Sequence, residues 1–157
     1  MLHEVTITKA NFEDLTDILN LQKTAFLAIA ELYNCYEIEP LHQSLASIQD
    51  DFNDYLFLKA EYHGEIIGSV KIKHCDDYCS IGKLIVLPEF QNKGVGRKLM
   101  AAAEKVFPDI KRYELFTASE SIKNITLYES LGYKITGSVP ENKVPRIILA
   151  TMTKIVL

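Results

Sequence analysis

Between Leu84 and Met100 the sequence reads LIVLPEFQNKGVGRKLM: an aliphatic run ends at Pro88, and Gly94-Val95-Gly96 follows between Lys93 and Arg97. Glycines at 94 and 96 let backbone N–H groups approach an anion without interference from a Cβ. A helix that starts here adds unpaired N–H donors and the positive end of its dipole. Lys93 and Arg97 set two cations beside the same point. The expected guest is a pyrophosphate. A P-loop would need G-x-x-x-x-G-K-[ST], which is absent, and a dinucleotide fingerprint would need a third glycine and a βαβ setting, which this segment lacks.

Two other groups could carry chemistry. Asn124 and Tyr128 stand four residues apart in NITLYESLGY and so share one helix face. Tyr128 taken singly reads as a half-buried core aromatic with its hydroxyl at the rim. His74, Cys75 and Cys79 form a loose trio, but a structural zinc needs four ligands at defined spacing and nothing supplies the rest, so no metal is expected. The three cysteines, Cys35, Cys75 and Cys79, form no set of pairs, which fits a reducing compartment.

The elements that must position these residues follow from periodicity. Glu4–Thr8 alternates like a short strand. A helix capped by Asn11 runs toward Leu32 with an apolar stripe at Leu15, Ile18, Leu19, Leu21 and Phe26, and the pattern breaks before Pro40. Leu41, Leu45, Ile48 and Phe52 predict a second helix over Leu41–Phe52. Three strands follow, Tyr55–Tyr62, Glu65–His74 and Tyr78–Leu87, with turns at His63-Gly64 and Asp76-Asp77. Gly94–Phe107 is helical with Arg97 opening the helix proper, RYELFTAS is a strand, and SIKNITLYESLGY is a helix that Gly132 can end. Strands near Lys134–Val139 and Arg146–Ile155 close the chain. The order β-α-α-β-β-β-α-β-α-β-β predicts one domain over residues 1–157, a mixed α/β sheet with helices on its faces.

Together, V-x-P-x-x-Q-x-x-G-x-G at Val86–Gly96 and N-x-x-x-Y-x-x-x-G-Y at Asn124–Tyr133 resemble the GCN5-related N-acetyltransferase (GNAT) superfamily. The resemblance implies a central, mostly antiparallel sheet in which two adjacent parallel strands, those ending at Leu87 and near Tyr113–Ala118, splay apart at a bulge. By similarity, backbone groups of Leu84, Ile85 and Val86 would pair with the pantetheine arm of acetyl-CoA, and the Val86 amide would point at the thioester carbonyl. Gln91, Asn92, Lys93, Gly94, Val95, Gly96 and Arg97 would wrap the pyrophosphate. Asn124 would hydrogen-bond the pantetheine region, and Tyr128 would sit beside the sulfur. A phenol of ordinary pKa near 10 is protonated at neutral pH, so Tyr128 can act as general acid toward the departing thiolate.

The implied activity is transfer of an acetyl group from acetyl-CoA to a primary amine by direct attack. Alternatives are a protein or peptide N-acetyltransferase, use of a longer acyl-CoA, and a non-catalytic acetyl-CoA-binding sensor domain. The family's base position on the strand before the bulge holds Ser80, Ile81 and Gly82, so no base is assigned, and Glu89 reads as a solvated turn residue. The connection AELYNCYEIEPLHQ offers Glu31, Tyr33, Tyr36, Glu37, Glu39 and His42, a mix that suits a small cationic acceptor.

Charge and composition set outer limits. Residues 1–80 hold 14 acidic and 5 basic residues, and residues 81–157 hold 7 and 12, within a net charge of −4. This division fits an anionic ligand on the second half and a cationic one on the first. No basic patch with interleaved aromatics points to nucleic acid. No apolar run approaches the ~20 residues of a membrane span. The N-terminus lacks a signal-peptide pattern, so a cytoplasmic protein is expected, as a monomer or homodimer.

Overall fold

A computed structural model describes residues 3–157. Met1 and Leu2, inside the predicted domain, lie outside the described residues. Among the described residues seven strands form one sheet in the order β1-β2-β3-β4-β5-β7-β6: β1 Thr6–Lys9, β2 Leu56–Tyr62, β3 Glu65–His74, β4 Cys79–Val86, β5 Arg112–Ala118, β6 Lys134–Pro140 and β7 Ile148–Ile155. Every neighbouring pair is antiparallel except β4–β5. The hairpin strands lie where alternation and turn residues placed them, and β3 has the expected bounds.

The helices are α1 Leu15–Tyr33, α2 Glu39–His42, α3 Leu45–Asp54, α4 Val95–Ala103 and α5 Ile122–Ser130. Adjacent residues of a strand face opposite sides of the sheet. Phe57 packs with Leu15, Ile18, Leu19 and Ile48, so α1 and α3 cover its face. Leu58 packs with Val95, Leu99 and Met100, so α4 covers the other.

Two helices differ from the sequence reading. The predicted helix over Leu41–Phe52 is interrupted, because Gln43 is extended and Ser44 caps a new start, its Oγ accepting from the Ser47 N–H at 3.1 Å. The apolar stripe is divided accordingly: Leu41 packs beside Ala30 and Ile38, whereas Ile48 and Phe52 belong to the Phe57 cluster. Pro40 lies in the first turn of α2, where its missing N–H costs nothing, and α1 ends at Tyr33, beside the expected Leu32, with Asn34 left-handed (φ 47°). Helix α4 stops at Ala103 rather than Phe107. The N–H groups of Lys105 and Val106 bond three residues back, to Ala102 and Ala103, so the chain leaves the α-helical path in tighter turns.

Gly132 ends α5 as expected (φ 99°), with Tyr133 N–H donating to the Tyr128 carbonyl and Gly132 N–H to that of Glu129. This turn folds Tyr133 back so that its ring meets Tyr128 edge-on, centroids 6.1 Å apart.

The feature that shapes the centre of the sheet is a bulge in β4. Ser69 pairs with Ile85 and Lys71 with Gly82, so Val70 of β3 faces two residues, Lys83 and Leu84. Lys83 adopts φ 48°, a left-handed conformation costly for a side chain with a Cβ. Parallel pairing of β4 with β5 spans only Cys79–Ile81 against Tyr113–Leu115, and the strands part beyond it.

Gly68 holds α4 close beneath this region. A Cβ there would stand 3.0 Å from Leu99 Cδ1 and 3.1 Å from the Ile85 carbonyl oxygen. Gly68→Ala should cost about 1–3 kcal/mol in urea unfolding. Gly137→Ala, whose Cβ would meet only Thr151 at 3.9 Å, should change stability by less than about 0.5 kcal/mol. Equal effects would contradict this packing.

Candidate active site

Where β4 and β5 part, two cavities open side by side. The first, of about 670 Å³, lies among the end of β4, the start of α4, α5 and the middle of α1. Leu84, Ile85, Val86, Gln91, Asn92, Gly94, Val95, Gly96, Arg97 and Asn124 all line it, ten of the residues expected to hold a cofactor. The second, of about 700 Å³, contains Tyr128. Phe26, Ile29, Leu84 and Asn124 belong to both walls, so the cavities meet over the bulge.

Backbone direction at Val86 follows from register. Leu87 N–H donates to the Ile67 carbonyl at 2.8 Å. Antiparallel pairs alternate between bonded and non-bonded positions, so the next pair, Gly68 and Val86, is non-bonded. The N–H and C=O of Val86 therefore point away from β3, into the gap that β5 leaves. The Gln91 amide donates to that Val86 carbonyl at 3.0 Å.

The elbow begins a helix in a way the motif only partly foretold. Asn92 (φ 62°) and Gly94 (φ 86°) are left-handed, and α4 starts at Val95 rather than at Arg97. Gly96 thus sits within the first turn of the helix. A Cβ on Gly96 would meet only ordinary contacts, 3.5 Å from Leu127 Cδ2 and 3.7 Å from Leu84 Cδ2. The surrounding fold does not require glycine at 96; its missing Cβ leaves room in the cavity. Gly94, by contrast, is required by its backbone angle.

The cations rearrange relative to expectation. Lys93, between the two left-handed residues, is exposed and lines neither cavity. Lys123 of α5 takes its place, reaching across the first cavity to Gln91 Oε1 at 2.7 Å. Arg97 crosses in parallel, its Nη2 donating to Ser130 Oγ at 2.6 Å. Motif spacing missed Lys123 because it precedes the Asn-Tyr pair by one residue and is an ordinary surface lysine until α5 folds over α4.

Tyr128 is buried. Burial pushes its phenol far above the ordinary value, so it stays protonated well beyond neutral pH. Its neighbour Tyr133 donates to Glu104 Oε2 at 2.9 Å, and Lys154 pairs with Glu104 Oε1 at 2.7 Å. That anchored ring fixes the side of Tyr128 away from the cavity.

Of the six residues expected to form an acceptor site, only Glu39 lines the second cavity. Tyr33 instead accepts from the N–H of Glu120, in the turn after β5, at 3.2 Å, and within the α1–α2 segment the His42 ring meets the Tyr36 carbonyl at 2.7 Å. Glu39 faces Lys83 Nζ at 3.1 Å. Lys83 Nζ also donates to Gln43 Oε1 at 2.9 Å. Burial is the main influence on the Lys83 ammonium and lowers its pKa, with the Glu39 carboxylate acting in the opposite sense. Glu89 is exposed in the turn after β4, as expected. Among the described residues no group of three or more His, Cys, Asp or Glu could hold a metal, and no helix is long and apolar enough to cross a membrane.

A split parallel strand pair beside a glycine-capped helix defines a fold with a cleft for an extended, anion-ended ligand. The chain belongs to the acetyltransferase (GNAT) family, whose pattern it matches over residues 15–133. An uncharacterised N-acetyltransferase of Chlorobaculum tepidum is 34% identical over 95 residues, which is 60% of this chain, and the chain spans 58% of that relative's length. Ard1 of Thermoplasma volcanium superposes with a TM-score of 0.82 at 20% identity over 99% of both chains. The PaiA N-acetyltransferase of Thermoplasma acidophilum, solved with coenzyme A, superposes with a TM-score of 0.75 at 20% identity over 98% of this chain and 99% of that one. These last two likenesses concern the fold.

The contrast between the glycines is measurable. Gly94→Ala should lose about 1–2 kcal/mol of stability, the cost of a Cβ at positive φ. Gly96→Ala should gain about 0.4–1 kcal/mol, because alanine is the better helix former where it fits. Urea denaturation of both variants checks this, and a clear loss at Gly96 would mean that the space beside it is not free.

Proposed function

We propose that the protein transfers an acetyl group from acetyl-CoA to the primary amine of a small molecule. The observation that carries this reading is the meeting of two cavities over the bulge, one ending at a glycine-capped helix N-terminus and the other holding a buried, protonated tyrosine. Gly94 and Gly96 give the pyrophosphate access to the first amides of α4, and Arg97 and Lys123 supply cations of matching sign. The pantetheine arm takes the place of the strand partner that β4 lacks, against Leu84–Val86, with Asn124 on its other side.

Each role follows from residue type and direction. The Val86 N–H, fixed in the gap, holds the thioester oxygen as negative charge grows on it, a contact worth more during reaction than before it. The amine enters from the second cavity as an ammonium and releases one proton to water; its nitrogen then forms the new bond to the acetyl carbon as the carbon–sulfur bond breaks, and the second proton it sheds on becoming an amide restores the Tyr128 phenol. Tyr128 gives its proton to the departing sulfur. A phenol with so high a pKa is a weak acid in water, but the same burial disfavours a free thiolate and raises its proton affinity alongside. A cationic polyamine loses its strongest support, since the connection contributes only Glu39 to the cavity and Lys83 already faces it.

Tyr128→Phe should lower kcat at least about 100-fold, with a far smaller change in the Kd for acetyl-CoA. Thiol release measured with a panel of primary amines, alongside calorimetry with acetyl-CoA, tests both halves. Unchanged kcat would remove Tyr128 from the reaction, and tight binding with no turnover of any amine would make the protein a sensor.

A further inference from the structure

The second cavity contains a charge arrangement that the transfer reaction does not use. Its charged lining residues are Lys71, Lys83, Glu39 and Glu141. Glu141 is committed to its own turn, its carboxylate accepting from the amides of Val144 at 2.8 Å and Lys143 at 3.2 Å. Lys71 rests against Asp51 at 3.3 Å, with its Nζ 4.2 Å from the centre of the Tyr55 ring. That leaves Glu39 and Lys83 as an adjacent pair of opposite sign on the cavity wall.

Lys83 occupies its place at two costs. It is a side chain with a Cβ at φ 48°, and its ammonium is largely withdrawn from water, the side chain 17% exposed. Glycine or an apolar residue would avoid both costs, and the neighbouring residue is itself a glycine, Gly82. The ammonium is nonetheless well braced from behind. Gln43, which accepts from Lys83, is buried and donates to Asp51 Oδ2 at 2.8 Å and Ser47 Oγ at 3.1 Å, while buried Gln22 donates to Gln43 at 2.9 Å. An ammonium has three N–H donors. Glu39 and Gln43 engage two, which leaves one for a ligand in the cavity that Lys83 lines.

We propose that the acceptor is a small amine that also carries a carboxylate, with Lys83 binding the carboxylate and Glu39 the ammonium. This deepens the transferase reading and rests on it. Two centres of opposite sign, side by side on the wall that leads to Tyr128, match a zwitterion better than a polycation, for which the cavity's two carboxylates are Glu141, held in its own turn, and Glu39, already facing Lys83. Lys71, on the next strand, adds a second positive charge behind the carboxylate site. The remaining wall, with Ile29, Ile38, Leu115 and Leu149, suits an apolar body of modest size.

The test compares amines that differ only by the acid group: leucine against 3-methylbutylamine, and phenylalanine against 2-phenylethylamine, with spermidine as a polycation. Wild-type protein should favour each amino acid over its decarboxylated counterpart in kcat/KM. Lys83→Met should reduce kcat/KM for the amino acid at least about tenfold more than for the counterpart, chiefly through KM, and Lys83→Arg should recover part of the loss. Reading the change in this ratio cancels the difference in amine basicity within each pair. A wild-type protein that prefers the decarboxylated amines or spermidine would overturn the inference while leaving the transferase reading intact, and this comparison stands even if Lys83→Met does not fold. Equal losses for both members of a pair would likewise overturn it, making Lys83 a support for the bulge alone. Acetyl-CoA binding without thiol release from any amine would overturn the transferase reading and the inference together.

Discussion

One extra residue in β4 governs the centre of this molecule. With Lys83 and Leu84 both set against Val70, the strand turns away from β5 after three parallel pairs. A parallel sheet interior normally leaves no backbone group unpaired, because an unpaired buried N–H or C=O costs free energy. Here the alternation of bonded and non-bonded pairs aims the Val86 N–H and C=O into the opening. The gap is therefore polar along one edge, apolar along its walls, and directed toward the N-terminus of α4. A ligand with strand-like amide groups at one end and phosphates at the other fits that combination.

The flanking elements act as braces for this opening. Gln91, Lys123, Arg97 and Ser130 link the start of α4 to α5 across the first cavity. On the far side of Tyr128, Tyr133, Glu104 and Lys154 form an anchored group that holds the aromatic pair. Under the second cavity, Gln22, Gln43, Asp51 and Lys71 join α1, α3 and β3 beneath Lys83. Hydrogen-bonded sets of this kind stiffen a site where their polar atoms are paired. The walls of the two cavities are thereby tied together by side-chain contacts among α1, α3, α4, α5, β3 and β7.

How much of this was legible in the sequence depends on whether the signal was local. Strand β3, the turn at Gly64 and the end of α5 at Gly132 were readable because alternation and left-handed glycine act over a few residues. The glycine elbow and the Asn124–Tyr128 pair were readable because their spacings are set within one element. The break at Gln43-Ser44 was not, since it depends on Gln43 turning inward to meet Gln22 of another helix. Lys83 was invisible as a site residue for the same reason: its place is created by register with β3. The substitution of Lys123 for Lys93 depends on α5 lying over α4. A lysine inside an otherwise apolar strand, directly after Gly82, was the one local sign that β4 is not a plain core strand.

The proposed activity requires that the opening between β4 and β5 receive acetyl-CoA along Leu84–Val86 and at the start of α4. The most direct measurement is a titration of isotope-labelled protein with acetyl-CoA, followed by amide NMR. Saturable shifts should concentrate at Ile85, Val86, Val95, Gly96 and Asn124. Saturable shifts confined to β1, β2 or the exposed strand β6, or no saturable shifts, would contradict the account.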